Sequence, residues 1–118
     1  MKIVYVDDDP NWAFSLPEIG RLIGYDITSV QTSDEFMDIL SRGEPVDLFM
    51  TDIRIPEKSG YELIDEYRER YPDNPVLVIT GYDTRKLKKM AHAKGITSVI
   101  MKPFPISVLQ KELDSILG

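Results

Sequence analysis

The sequence predicts an α/β domain in which five parallel strands alternate with five helices. Three observations predict it. Short β-rich runs recur along the chain, at Ile3-Val4-Tyr5-Val6, Tyr25 to Val30, Val46 to Thr51, Val76-Leu77-Val78-Ile79 and Val99-Ile100-Met101. Between them lie segments with apolar residues at helical spacing, such as Leu63, Ile64, Tyr67 and Tyr71. The first and fourth runs are apolar throughout, as strands covered on both faces are. Alternation of this kind gives a parallel sheet between two helical layers.

Strand 1, Ile3 to Val6, runs into Asp7-Asp8-Asp9-Pro10. A helix starts near Pro10 or Asn11, because proline suits a first turn. Pro17 lies inside that helix, removes one backbone donor and is expected to kink or delay it; Gly24 ends it. Strand 2, Tyr25 to Val30, is less apolar and so a candidate edge. Ser33 is expected to cap the second helix, with Asp34 and Glu35 in the first turn, where the helix dipole favours acids. Phe36, Met37, Ile39 and Leu40 form its buried face, and Gly43 and Pro45 stop it. Strand 3, Val46 to Thr51, leads into Asp52-Ile53-Arg54-Ile55-Pro56-Glu57-Lys58-Ser59-Gly60 and a third amphipathic helix. Pro72 and Pro75 bracket the turn to strand 4, which ends at Thr80-Gly81-Tyr82. Asp83 or Thr84 caps the next helix, which turns Leu87, Met90 and Ala91 inward and closes at Gly95. Lys102-Pro103-Phe104 follows strand 5. Ile106, Leu109, Leu113, Ile116 and Leu117 mark the inner face of the last helix. Right-handed crossovers leave few doubly wound orders, and the flavodoxin-like order 2-1-3-4-5 is the common one for five strands. It brings Asp7 and Asp8 beside Asp52.

The 118 residues fit one domain, 1–118. The absence of cysteine excludes disulfides, thiolate catalysis and Cys-based zinc sites. A net charge of −6 argues against a nucleic-acid surface. No apolar run is long enough to cross a bilayer, and Met1-Lys2 leads straight into a strand without a cleavable signal pattern. A cytoplasmic protein is the simplest reading.

In open α/β sheets, ligands collect at the carboxyl ends of the strands. Four of those ends carry reactive groups here. Three crowded carboxylates repel one another, and either bound protons or a cation among them relieves this. Oxygen-only donors without His or Cys suit magnesium, which keeps several waters and bridges to phosphate. Thr80 adds a hydroxyl, Gly81 an approachable amide and Lys102 an ammonium. Around Asp52 these groups suit phosphoryl transfer to a carboxylate, a reaction that needs mostly positioning and charge neutralisation.

Val6-Asp7-Asp8-Asp9-Pro10, Asp52-Ile53-Arg54-Ile55-Pro56 with Ser59-Gly60, Ile79-Thr80-Gly81-Tyr82 and Lys102-Pro103-Phe104 together resemble the receiver domain of two-component response regulators. The resemblance spans the whole chain. It implies that Asp52 accepts a phosphoryl group from a sensor histidine kinase or phosphotransfer protein. It implies Asp8, Asp52 and the Arg54 carbonyl as magnesium ligands, with Asp7 acting through water. Thr80, the Gly81 amide and Lys102 would hold the phosphoryl oxygens. Such a domain assists its own phosphorylation and dephosphorylation but is a signalling acceptor rather than an enzyme. The sequence departs from the family at Val99, where an aromatic often stands. Output is therefore expected to run through Tyr82 into the basic helix 84–94.

Each feature also has a plainer reading. Asp7-Asp8-Asp9 alone fits an N-cap cluster, Thr80 a strand end, Lys102 a solvated charge, and Arg85, Lys86, Lys88, Lys89 and Lys94 a solvated helix face. The sharper reading of helix 84–94, with strand 99–101 and helix 106–117, is a surface for a downstream effector or a homodimer. Tyr67 and Tyr71 read as core edge, and Trp12 as packing near the first helix start. Two rival functions are a haloacid-dehalogenase-type phosphatase and a degenerate receiver that only binds proteins. The former family has a second acid where this chain has Arg54.

Overall fold

A computed structural model describes residues 1–81 and 85–118; Tyr82 and the expected caps Asp83 and Thr84 lie outside the described residues. The elements are β1 (Ile3–Val6), α1 (Pro10–Ile23), β2 (Ile27–Val30), α2 (Ser33–Ser41), β3 (Leu48–Thr51), α3 (Gly60–Arg70), β4 (Val76–Thr80), α4 (Arg85–Lys94), β5 (Ser98–Met101) and α5 (Ile106–Leu117). The strands pair in parallel in the order β2-β1-β3-β4-β5. This is the flavodoxin-like sheet expected from the alternation of strands and helices, with β2 at an edge.

Strand residues alternate between two cores. Val4, Val6, Phe49, Val76 and Val78 pack with Phe36, Ile39, Leu63, Ile64 and Leu87 of α2, α3 and α4. Ile3, Tyr5, Leu48, Met50, Leu77, Ile79 and Ile100 pack with Leu16 of α1 and Leu109 and Leu113 of α5. Successive side chains point to opposite faces, so this parity also decides which way each strand-end residue faces.

Several boundaries differ from the sequence expectation. β2 begins at Ile27, because the Tyr25 amide is spent on the Gly20 carbonyl (2.8 Å) as α1 closes, with Gly24 left-handed at φ 88°. β3 begins at Leu48, because Asp47 is engaged at the sheet's other end: its carboxylate accepts the Lys2 amide at 2.7 Å. Thr80 belongs to β4 and Ser98 to β5. Thr32, not Ser33, caps α2. Its hydroxyl accepts the Glu35 amide at 3.1 Å, and the Glu35 carboxylate accepts in return from Thr32 Oγ1 (3.1 Å) and the Gln31 amide (3.4 Å). This is a form of the Thr-x-x-Glu capping box. Ser33 is buried one position on, its hydroxyl donating to the Pro56 carbonyl at 3.4 Å.

α1 is not interrupted at Pro17. The proline removes only one donor, and the helix is clamped to the sheet around it by Leu16 and Gly20. A Cβ on Gly20 would lie 2.7 Å from the Tyr25 carbonyl and 2.9 Å from Ile27 Cδ1. Tyr67 is core rather than core edge. It is fully buried, its hydroxyl donates to the Val46 carbonyl at 2.7 Å, and burial pushes that hydroxyl up to about 12. Ile106, expected on the inner face of α5, is 42% exposed, because it sits in the first turn before the helix settles on the sheet.

Candidate functional site

The switch point lies between β1 and β3, whose paired ends are Val6 and Thr51. Asp7 and Asp52 are the next residues on each strand. By strand parity Asp7 continues the face of Ile3 and Tyr5, Asp52 that of Leu48 and Met50, and Lys102 that of Ile100. All three therefore turn toward the α1/α5 layer. The Asp52 amide donates to the Val6 carbonyl at 3.0 Å, which ties the two strand ends together beyond the sheet.

Lys102 Nζ donates to Asp52 Oδ2 at 2.8 Å and also to Asp7 Oδ2. Asp52 Oδ1 accepts the Ile53 amide at 2.6 Å. Asp7 Oδ1 accepts the Asp9 amide at 3.0 Å, and its Oδ2 also accepts the Tyr5 hydroxyl. Asp7 is fully buried and Asp52 nearly so. Burial pulls the Lys102 pKa down, but the hydrogen bonds it donates to Asp52 and Asp7 outweigh it and hold the group above its ordinary value. Burial first, and then the bond to Asp7, pushes the Tyr5 hydroxyl well above the ordinary tyrosine range.

The loop after Asp52 is shaped by its far end. Ser59 caps α3 by accepting the Glu62 amide at 3.3 Å, and the Gly60 amide donates back to the Ile53 carbonyl at 2.8 Å. A Cβ on Gly60 would sit 2.2 Å from the Asp52 carbonyl oxygen, so only glycine lets α3 start this close to Asp52. Glu57 takes up the turn at φ 72°, a left-handed conformation uncommon for a residue with a side chain.

A cleft of about 470 Å³ opens over these groups, lined by Asp7, Asp8, Asp9, Trp12, Asp52, Arg54, Gly81 and Lys102. Six of the seven residues named from sequence line it: Asp7, Asp8, Asp52, Arg54, Gly81 and Lys102. Thr80 does not. It is fully buried and follows Val76 and Val78 toward the α2–α4 layer, while its carbonyl accepts the Lys102 amide at 2.8 Å. The Lys102–Pro103 peptide is cis.

Two site residues escape the sequence reading. Tyr5 reaches Asp7, and its signal is parity: two residues apart on a strand means the same face. Trp12 places its ring 4.9 Å from Lys102 Nζ and 5.3 Å from the Phe104 ring, a juxtaposition that no local pattern announces.

Among the described residues, no three acidic or histidine side chains already converge as a metal cage. The donor set that faces the cleft is smaller and consists of hard oxygens. Asp8 and Asp52 face it and Arg54 lines it. That set fits magnesium, which takes one or two carboxylates and keeps the rest of its shell as water.

The sequence profile of the response regulator receiver domain matches residues 3–114. The chain belongs to the receiver domain family. This receiver is 29% identical over 121 residues to the chemotaxis protein CheY homolog of Campylobacter jejuni, spanning 100% of this chain and 93% of that one. Its fold superimposes on Vibrio cholerae chemotaxis protein CheY4 with a TM-score of 0.89 at 23% identity, covering 98% and 97% of the two chains. The BeF3-activated N-terminal receiver domain of Klebsiella pneumoniae RstA gives 0.88 at 26% identity, covering 99% and 98%. The receiver is thus a two-component signalling domain, and the phosphatase alternative is set aside. Among the described residues no helix is long and apolar enough to cross a membrane.

Proposed function

We propose that Asp52 is the phosphoryl acceptor of this receiver. The observation that carries the reading is the position of its carboxylate. It is fixed on the floor of the cleft by the Ile53 amide at 2.6 Å and the Lys102 ammonium at 2.8 Å. An Asp52 oxygen attacks the phosphorus of a partner's phosphohistidine. An O–P bond forms, the P–N bond breaks, and the departing imidazole keeps the electron pair and takes a proton from water. Lys102 then pairs with a phosphoryl oxygen, and the Gly81 amide donates to another. Asp8, Asp52 and the Arg54 carbonyl would hold magnesium, with Asp7 acting through water; bound there, the ion would neutralise charge on the transferring group. Thr80 closes on the phosphoryl from the strand end, and that movement couples the site to the α4 side of the sheet. The donor is a sensor histidine kinase or phosphotransfer protein. The receiving surface, for an effector or a second copy, is α4, β5 and α5. A cytoplasmic location suits these partners.

The test is incubation with acetyl phosphate and magnesium, followed by intact mass. One phosphoryl adduct is expected on the native chain and none on Asp52→Asn. An adduct that persists on Asp52→Asn assigns the acceptor elsewhere, and no adduct on the native chain makes this a protein-binding receiver only.

A further inference from the structure

We propose that Trp12 is a positioning residue for Lys102, holding the ammonium over the acceptor while the acceptor's own charge is consumed. The proposal rests on the phosphoacceptor reading of Asp52. Trp12 stands in the first turn of α1, which starts directly from the Asp7-Asp8-Asp9 segment. Its ring lines the cleft, and Lys102 Nζ lies 4.9 Å from the ring centroid. The other side of the contact is anchored by Phe104, two residues beyond Lys102, whose ring lies 5.3 Å from that of Trp12 at an interplanar angle of 30°. Trp12 thus ties α1 to the loop that carries Lys102.

The ammonium has three holds: Asp7, Asp52 and the face of the indole. They do not behave alike during transfer. As an Asp52 oxygen bonds to phosphorus, its negative charge passes to the phosphoryl group and leaving group, and its grip on Lys102 weakens. Asp7 alone would then draw the ammonium toward the buried side. The ring quadrupole does not change, so it keeps Lys102 at the cleft mouth, where the phosphoryl oxygens arrive. An interaction that persists while its competitor fades favours the transition state over the resting state. Leucine at this position keeps apolar packing on Phe104 and suits a helix, but has no quadrupole. Phenylalanine retains a weaker one.

The experiment compares the native chain with Trp12→Phe and Trp12→Leu, each first shown by thermal melting to be folded. Two readouts are taken. The first is the chemical shift of the Lys102 ε-methylene protons, which a ring above them moves upfield. The upfield shift is expected in the native chain, in reduced form in Trp12→Phe, and not in Trp12→Leu. The second is the rate of phosphoryl uptake at saturating acetyl phosphate and magnesium. Trp12→Leu should be slower on the order of three- to tenfold, the size of a partly desolvated cation–π contact, with Trp12→Phe close to native. Equal Lys102 shifts in all three proteins would overturn the proposal. Equal uptake rates, or a Phe variant as slow as the Leu variant, would reduce Trp12 to packing and overturn it as well. Those outcomes leave the Asp52 reading standing. A native chain that takes up no phosphoryl group at all would defeat both.

Discussion

Lys102, Tyr5 and Tyr67 share one property: each gives up its proton at higher pH in the folded chain than in the unfolded one. Above the ordinary tyrosine value of 10.0 the unfolded chain starts to lose protons that the folded chain retains, and Lys102 joins from its ordinary value of 10.5. Fewer protons on the unfolded state mean that stability falls as pH rises. Below these values the contributions are fully present. Denaturant midpoints should therefore drop steadily above about pH 10, and Tyr5→Phe should flatten part of that drop. An unchanged slope in Tyr5→Phe would show that the buried Tyr5 hydroxyl is not its source. A second contrast concerns two glycines beside the acceptor. Gly60→Ala forces a Cβ against the Asp52 carbonyl and should destabilise by about 1–3 kcal/mol while slowing phosphoryl uptake. Gly81→Ala meets nothing within 4 Å among the described residues and should melt like the native chain. A Gly60→Ala protein as stable and active as native would mean that the loop yields freely.

At the scale of elements, α1 carries a proline that its fold tolerates but does not need. Pro17→Ala restores a donor for the Ala13 carbonyl inside a continuous helix and should stabilise the chain by about 1–3 kcal/mol, measured by denaturant unfolding. No gain would show that the α1 packing has adjusted fully to the missing bond. The elements themselves were legible because strand cores and helix faces leave distinct apolar periods. Their ends were less so. Thr32 and Ser33 are both good caps, and what separates them is the Pro56 carbonyl, 23 residues away, which takes the Ser33 hydroxyl. Tyr25 looks like strand but is recruited by α1. The candidate site was legible where it follows strand ends in order, as with Asp7, Asp52 and Lys102. It was illegible at Trp12, whose partners are set by how α1 and the β5–α5 loop meet. The expected route through Tyr82 falls outside the described residues. Val99, which departs from the usual aromatic, is partly buried against the α2–α4 core.

For the molecule as a whole, anything that binds only the folded site stabilises the fold by mass action. Melting temperature should rise with added magnesium, and Asp8→Ala should remove most of that rise. An unchanged response in Asp8→Ala would reassign the ligand. Charge is also unevenly spread: α4 holds five of the fourteen basic residues and no acidic one, within a chain of net charge −6. Partner binding at that surface should weaken as salt is raised.

The Lys102 contacts also bear on how the chain comes into being. Lys102 is 95 residues from Asp7 and 50 from Asp52. During synthesis from the amino terminus, both carboxylates are made long before their ammonium, and β1 can pair with β3 while the cation is still missing. Until β5 docks, the acidic pair at the centre of the sheet lacks this internal cation, and its repulsion is left to bound protons, solvent or a metal ion to relieve. Arrival of β5 reverses the sign of that local term. The fifth strand therefore does more than close an edge: the ammonium that follows it makes the earlier pairing electrostatically comfortable, and the acceptor pocket matures only once β5 has docked.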